Sequence, residues 1–504
     1  MRASIVGGVV IAALVAIALV LPGLRRELIE DVTWWDAEPT DPATLPPATG
    51  PGLVPAAHTR VVLIDGLGEN VAALLPAWQS VCHRGLAMTV DVGFPTISLP
   101  VEVALWSGLT QQQTGIVTRS GGKPGAYGRP LVPPLGASAI PAQVPGSIAI
   151  AEDHGWIVRS LGFSHVEPAA DPNNPTKDLE PKAWDARWQD VAAQAVASDA
   201  KLVFVHVLRV DNTGHKAGVG EAYVRAAMSA DALLARLVAA DPGARWFVLS
   251  DHGHVASGGH GGAELAVRHV AGCIAGPGVV AGRAELVHVV DVSRALADST
   301  GARLDRGSMG RPITAAVAVP LAPDQAVPPL TLSRGAAAIF LVLVGLGLSV
   351  WSVRRWWFAP WWFAIACASL YAIRGEPTLS MRMVYSATGR EMYLTWLPAL
   401  ALAAVTTWLG ARRVSPLRIV TAQLAIPFAV TAAAMAACGA WPVVFGAELA
   451  PVVPRYTAWM IALLLMASHG AAVVALAALA RLVLRAFGRP SPPEPPRSEP
   501  AADA

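Results

Sequence analysis

The hydrophobic pattern divides the chain into two kinds of segment. Residues 4–22, SIVGGVVIAALVAIALVLP, form an uncharged apolar run of membrane length, flanked by Arg2, Arg25 and Arg26. Five more apolar runs lie late in the chain, at 336–353, 356–373, 393–411, 418–440 and 457–480. Each reads as a transmembrane helix. Between these regions, residues 58–320 alternate short β-branched apolar runs with stretches of helical periodicity. RVVLID (60–65), KLVFVHV (201–207) and RWFVLSD (245–251) read as buried strands, each ending at or near an acidic residue. GEAYVRAAMSADALLARLVAA (220–240) spaces its apolar residues as a helix does. Such alternation predicts an α/β domain, with a mostly parallel sheet covered by helices on both faces. Its ligands are expected beyond the carboxyl ends of the strands.

The resulting organisation has an N-terminal transmembrane anchor (1–26) and a linker rich in Pro, Asp and Thr (27–57). The α/β domain (58–320), a second linker (321–335) and an α-helical membrane domain of five spans (336–486) follow. A Pro-rich, disordered tail (487–504) ends the sequence. The Gly/Pro-rich stretch 120–147 reads as a loop or cap beside the site. For residues 4–22 a cleaved signal peptide competes with an anchor; no clear small-x-small site follows the run, which favours the anchor.

Composition agrees with the membrane assignment. The chain is 54% hydrophobic and 15% charged, with a mean hydropathy of +0.46. A net charge of +2 without any Lys/Arg block excludes nucleic acid as an expected partner. Six spans put both termini on one side of the membrane and the 58–320 domain on the other. Arginines number eight in the loops on the side of the termini and just after the last span, and seven in the flanks on the other side, which is no bias by count. Arg354–Arg355 and Arg412–Arg413 lie in very short loops, however, where the positive-inside rule counts most. The expectation is a multi-pass protein of the cell membrane with an extracytoplasmic α/β domain. Of the four cysteines, Cys367 and Cys438 lie in apolar runs. Cys82 and Cys273 could pair if their domain faces an oxidising compartment.

Chemistry concentrates in five short segments: VLIDGLG (62–68), FPTISLP (94–100), RVDNTGH (209–215), LSDHGH (249–254) and SGGHGG (257–262). Singly, each has an ordinary explanation. Asp65 could cap a helix after its strand, and Ser98 could cap the helix expected at 101–107. Asp211 and His215 are expected to converge across an Asn-Thr-Gly turn. Asp251 and His252 can share an ion only if the strand breaks between them, which Gly253 permits. His260 sits in a glycine-rich loop with no hydrophobic role. His254 reads as a supporting or solvent-exposed neighbour, and the remaining histidines as structural. Jointly, three Asp, three His and one Ser suffice to hold two divalent cations and attack a phosphorus centre.

These segments resemble the alkaline phosphatase superfamily, in particular its nucleotide pyrophosphatase/phosphodiesterase branch and the GPI ethanolamine-phosphate transferases. FPTISLP resembles that branch's nucleophile motif and DNTGH its DxxGH motif; SDHGHVASGGHGG is similar to the DHGM…GxHGG block of the transferases. EAYVRAAMSADALLARL, AGCIAGPGV and VVDVSRALADSTG extend the resemblance across about residues 60–312. The resemblance implies an alkaline-phosphatase-like fold. It implies one metal held by Asp65, Asp251 and His252, and another by Asp211, His215 and His260. Ser98 would be the nucleophile touching both ions, with Thr96 the weaker candidate. Mixed Asp/His ligands favour zinc, with manganese the alternative. Two departures stand out. Val101 and Glu102 replace the Asn or Gly-His that follows the motif proline, and the family's phosphoryl-contacting Asn falls near Arg119, which could bind phosphoryl oxygens itself. No CxPxR segment suggests the sulfatase branch. The implied activity is that of a metal-dependent phosphodiesterase or phosphotransferase working through a covalent phospho-Ser98 intermediate. Its substrate would be a phosphodiester or lipid-linked phosphoester. The competing reading is a catalytically inactive membrane protein that keeps the fold as a binding module.

Overall fold

The computed structural model describes residues 52–114, 138–153, 155–171, 174–178, 186–256, 258–262, 264–313 and 332–353, with a few single positions besides. The N-terminal anchor, most of the first linker, Arg119, the spans expected after residue 353 and the tail lie outside the described residues.

One sheet organises the domain. It contains β1 (Thr59–Ile64), β2 (Gly85–Asp91), β3 (Ile148–Ala151), β4 (His165–Glu167), β7 (Leu202–Val207), β8 (Arg245–Leu249), β9 (His269–Ala275) and β10 (Gly282–His288). A separate pair is formed by β5 (Ala170–Asp171) and β6 (Asn174–Asp178). The order in the main sheet is β10-β2-β9-β8-β1-β7-β3-β4. β1 lies between β7 and β8 and runs parallel to both. The sheet is mostly parallel, as the alternating pattern predicts; β9 alone runs antiparallel to its neighbours β2 and β8. The connection from β8 to β9 explains this. It carries only the four-residue helix Leu265–Arg268 and provides no crossover back to the other end of the sheet.

β1 is buried along its whole length, so its period-2 alternation feeds two cores rather than one core and solvent. Val61 and Leu63 enter a cluster with Trp106, Phe163 and Phe204. That face is covered by α2 (Ser98–Ser107) and α6 (Val289–Thr300). Val62 and Ile64 enter the opposite cluster, which includes Trp78, Tyr223 and Leu234. It is covered by α1 (Pro76–His83), α3 (Ala186–Val196) and α5 (Glu221–Ala240). Trp106 meets Phe163 and Phe204 edge-on, each at 5.1 Å between centroids. Such pairs add about 0.5–1.5 kcal/mol each beyond area burial.

Cys82 on α1 and Cys273 on β9 form a disulfide between residues 191 apart in sequence. It fastens a covering helix to the sheet. Residues 53–56 run along the domain: the Leu53 N–H donates to Asp298 and the Ala56 N–H to the Ser299 carbonyl. α4 (Arg209–Ala217) carries two of the expected ligands, and α7 (Leu332–Val353) begins where the first C-terminal span is expected. Ile339, Phe340 and Leu343 are exposed on α7. Taken over fully described residues, no helix is long and apolar enough to cross a membrane.

Candidate metal centre

The site lies where three parallel strands end side by side. Asp65 directly follows β1, Asp251 comes two residues after β8, and Asp211 lies in the first turn of α4, just beyond β7. Backbone hydrogen bonds lock these ends together. The Asp65 N–H donates to the Val207 carbonyl at 2.9 Å, and the Asp211 N–H to the Asp65 carbonyl at 3.0 Å. Gly66 turns with φ +73°, and a side chain there would lie 2.8 Å from the Asp211 backbone. Its N–H donates to Asp251 Oδ1 at 3.0 Å, orienting that carboxylate.

Asp211 and His215 stand on a helix, not across a turn as the Asn-Thr-Gly sequence suggests. Four residues apart on α4, they share one face, with Asp211 Oδ1 3.3 Å from His215 Nε2. Gly214 serves close approach instead of chain reversal: a Cβ there would sit 2.5 Å from His254 Nε2.

Two groups of three result. In one, His252 Nε2 lies 3.3 Å from Asp65 Oδ1 and 3.4 Å from Asp251 Oδ2. In the other, His260 Nε2 lies 3.0 Å from His215 Nε2 and 3.5 Å from Asp211 Oδ1. The groups adjoin through His252 and His260, whose rings stack at 3.7 Å. Ser98, the first residue of α2, places Oγ 3.3 Å from His252 Nε2. All six ring and carboxyl positions and the hydroxyl that the sequence singles out around the two ions thus converge. Among the described residues, Arg119 is not represented.

Second contacts decide which nitrogens face inward. His260 Nδ1 lies 2.8 Å from the Thr96 carbonyl and His252 Nδ1 lies 3.1 Å from the Gly253 carbonyl. A carbonyl only accepts, so both Nδ1 atoms carry hydrogen, and a bound cation would meet the Nε2 lone pair of each ring. His254 has the opposite tautomer. Its Nδ1 accepts from the Gly259 N–H at 2.9 Å, so Nε2–H donates to Asp211 Oδ1 at 3.1 Å. His254 is buried and orients a carboxylate, which settles the choice the sequence leaves between a supporting and an exposed role. Thr96 has its hydroxyl engaged both ways: Oγ1 donates to the Gly262 carbonyl and accepts from the Gly261 N–H. It ties the His260 loop to the start of α2, whereas the Ser98 hydroxyl faces His252.

Electrostatics follow from burial and crowding. Burial, with Asp251 and Asp211 nearby, pushes the Asp65 carboxyl well above the usual carboxylate range. Burial acts the same way on Asp211, but His215, His254 and His260 outweigh it and hold Asp211 well below that range. Burial and the neighbouring His252 keep His260 well below the ordinary imidazole value, hence neutral and able to ligate. Both Asp65 oxygens and Asp251 Oδ2 are buried without a hydrogen-bond partner. Orphaned carboxylate oxygens facing imidazole lone pairs fit divalent cations, and the donor set suits zinc or manganese.

Sequence reasoning did not place Glu102 or His206 in the site. Both are fully buried and both stand beside Asp65. The signal for His206 was its place in the apolar run KLVFVHV; the signal for Glu102 was its departure from the family's pattern.

Residues 163–279 match the Metalloenzyme superfamily. No curated protein matches the chain. Among solved structures, murine ectonucleotide pyrophosphatase/phosphodiesterase 5 is 13% identical with a TM-score of 0.40, covering 50% of this chain and 96% of its own. A 2-O GAG sulfatase is 17% identical with a TM-score of 0.40, covering 50% and 72%. A protein in the alkaline phosphatase superfamily from Vibrio parahaemolyticus is 14% identical with a TM-score of 0.37, covering 58% and 78%.

Proposed function

We propose that this chain, which carries a Metalloenzyme superfamily domain over residues 163–279, is a membrane-anchored, two-metal phosphoester hydrolase or phosphotransferase. The observation that carries the reading is the pair of three-ligand groups flanking the Ser98 hydroxyl. Asp65, Asp251 and His252 would hold one cation; Asp211, His215 and His260 would hold the other. Two such ions supply Lewis acidity, lowering the hydroxyl pKa and offsetting charge on the phosphoryl oxygens.

The protein's own contributions follow from position. Ser98 presents Oγ at the N-terminus of α2, where backbone N–H groups favour an anion. With its proton given up to solvent, the Ser98 oxygen forms a bond to phosphorus as the bond from phosphorus to the leaving oxygen breaks, and the leaving oxygen takes a proton from solvent, giving a covalent phospho-Ser98. Water or an acceptor alcohol then attacks phosphorus and restores the serine. Arg119, which the resemblance aligns with the family's phosphoryl-contacting Asn, is the candidate to bind those oxygens. Hydrolysis and transfer use the same residues. The disulfide supports an extracytoplasmic domain, because such bonds persist in oxidising compartments. The exposed apolar surface of α7 supports membrane association, which would suit a lipid-linked phosphoester as substrate.

The test uses the full chain in detergent with an aryl phosphodiester and an aryl phosphomonoester, with and without zinc. Loaded protein is expected to hold at least two metal equivalents. Ser98→Ala is expected to lose turnover by about 10³-fold or more while keeping its metals, since each ion retains three protein ligands. Arg119→Ala is expected to lower kcat/KM by about ten- to a hundredfold. Fewer than two equivalents, or an active Ser98→Ala beside a dead Thr96→Ala, would overturn the assignment. Metal binding without turnover on any phosphoester leaves a binding module.

A further inference from the structure

Asp65 opens a tight turn, 65–68, that leaves β1 with Gly66 at φ +73°. The strand has ended there, and the N–H groups of Gly66, Leu67 and Gly68 donate to side chains instead of to the sheet. A buried N–H left without an acceptor would cost about 1–3 kcal/mol. Gly66 donates to Asp251 Oδ1 at 3.0 Å, Leu67 to Ser250 Oγ at 3.0 Å and Gly68 to the Tyr223 hydroxyl at 2.8 Å. Asp251 and Ser250 come from the loop after β8, and Ser250 goes on to donate to the His252 carbonyl at 2.9 Å. Tyr223 comes from the first turn of α5, in a covering layer of the domain. Its hydroxyl also donates to the Gly66 carbonyl, so one oxygen joins both ends of the turn that aims Asp65.

Volume alone does not call for that hydroxyl. Tyr223 is fully buried in the apolar cluster that contains Val62 and Ile64. Phe would fill nearly the same space there, with no oxygen to satisfy. Burial pushes the hydroxyl pKa up, so the proton donated to Gly66 stays in place. The ring makes a second contact. It meets the His254 ring edge-on, with centroids 5.8 Å apart and planes at 81°. His254 is the residue whose Nε2–H orients Asp211. Tyr223 thus reaches the first metal group through its oxygen and the second through its ring.

We propose that Tyr223 is a positioning residue for both metal groups: its hydroxyl holds the turn that aims Asp65, and its ring holds the His254 imidazole that aims Asp211. The inference rests on the two-metal reading and divides two tasks within one side chain. The tasks are separable, because Tyr223→Phe removes the first contact and keeps the second. Without the oxygen, the Gly68 N–H and the Gly66 carbonyl lose their shared partner, and the turn is free to shift Asp65. His254 keeps both of its hydrogen bonds and its edge-on neighbour.

The experiment is a zinc titration against a competing chelator on the full chain in detergent, with His252→Ala and His215→Ala identifying which binding step belongs to which group. In Tyr223→Phe, the step lost in His252→Ala is expected to weaken by about 10–100-fold, as when a supporting contact is removed, while the other step changes by less than about threefold. Tyr223→Leu is expected to weaken both steps. Denaturant unfolding of the metal-free chains is followed alongside, since a tyrosine that served only the core would lower those midpoints and leave both affinities unchanged. That result, an equal loss at both steps in Tyr223→Phe, or a Tyr223→Phe chain that does not fold would overturn the proposal while two zinc steps in the natural chain left the two-metal reading intact. If Tyr223→Leu does not fold, Tyr223→Met replaces it, and failure of both to fold would assign the ring to the core and overturn its part. Fewer than two zinc steps in the natural chain would overturn the two-metal reading and this proposal with it.

Discussion

At the scale of single residues, the site is governed by which atom of each ring is already occupied. His254 illustrates the point. Its Nδ1 is taken by the Gly259 N–H, so the ring can only donate to Asp211 through Nε2. Supporting contacts of this kind typically alter metal affinity by about 10–100-fold. His254→Ala is expected to weaken zinc binding at the Asp211–His215–His260 group by that factor in a chelator competition titration. His254→Gln, which can still donate, is expected to recover part of the loss. Equal affinity in all three proteins would show that Asp211 needs no orienting partner.

At the scale of elements, the sheet is closed near the site by a pair that takes no part in it. Arg268 donates to both oxygens of Asp91, with Nε at 2.6 Å and a second nitrogen at 2.7 Å, joining the end of β2 to the start of β9. Burial opposes ionisation of Asp91, but Arg268 outweighs it and holds the carboxyl below its usual range. A carboxyl depressed in the folded state stabilises fully above its unfolded value, about 3.9, and the contribution is lost as pH falls through the folded value. Asp91→Asn is therefore expected to cost about 1–2 kcal/mol near neutral pH. In denaturant unfolding, the gap between the two proteins should stay level from pH 7 to 5 and shrink below about pH 4. Acid release of metals affects both proteins alike and drops out of the difference. A gap that stays level down to pH 2 would mean that the pair contributes nothing through charge.

At the scale of the whole molecule, the disulfide bears on which side of a membrane the α/β domain would face. Cys82 and Cys273 are bonded inside the α/β domain, which fits an oxidising compartment. If all six apolar runs span a membrane, as proposed, their even number would put that domain opposite both termini. A reporter inserted within residues 120–147 is expected to be reached by an impermeant label on intact cells. Labelling only after the cytoplasmic membrane is permeabilised would reverse the topology.

The sequence by itself determined the layered α/β architecture and the residues that bear on metal chemistry. Hydrophobic alternation is a local property, and β1, β7 and β8 each announce themselves as buried apolar runs. Asp65, Ser98, Asp211, His215, Asp251, His252 and His260 were legible because they sit in short motifs beside glycine and proline. Only the tertiary structure decided the rest. Whether DNTGH makes a turn or a helix depends on His254 packing against Gly214, a contact across 40 residues. The antiparallel return of β9 depends on what the β8–β9 connection can span. The Cys82–Cys273 bond needed α1 and β9 to meet. The roles of Glu102 and His206 depend on three elements meeting at one buried point, which no spacing along the chain encodes. Burial explains their setting: a carboxylate on a helix and an imidazole inside a strand lose water and come to stand beside each other and Asp65.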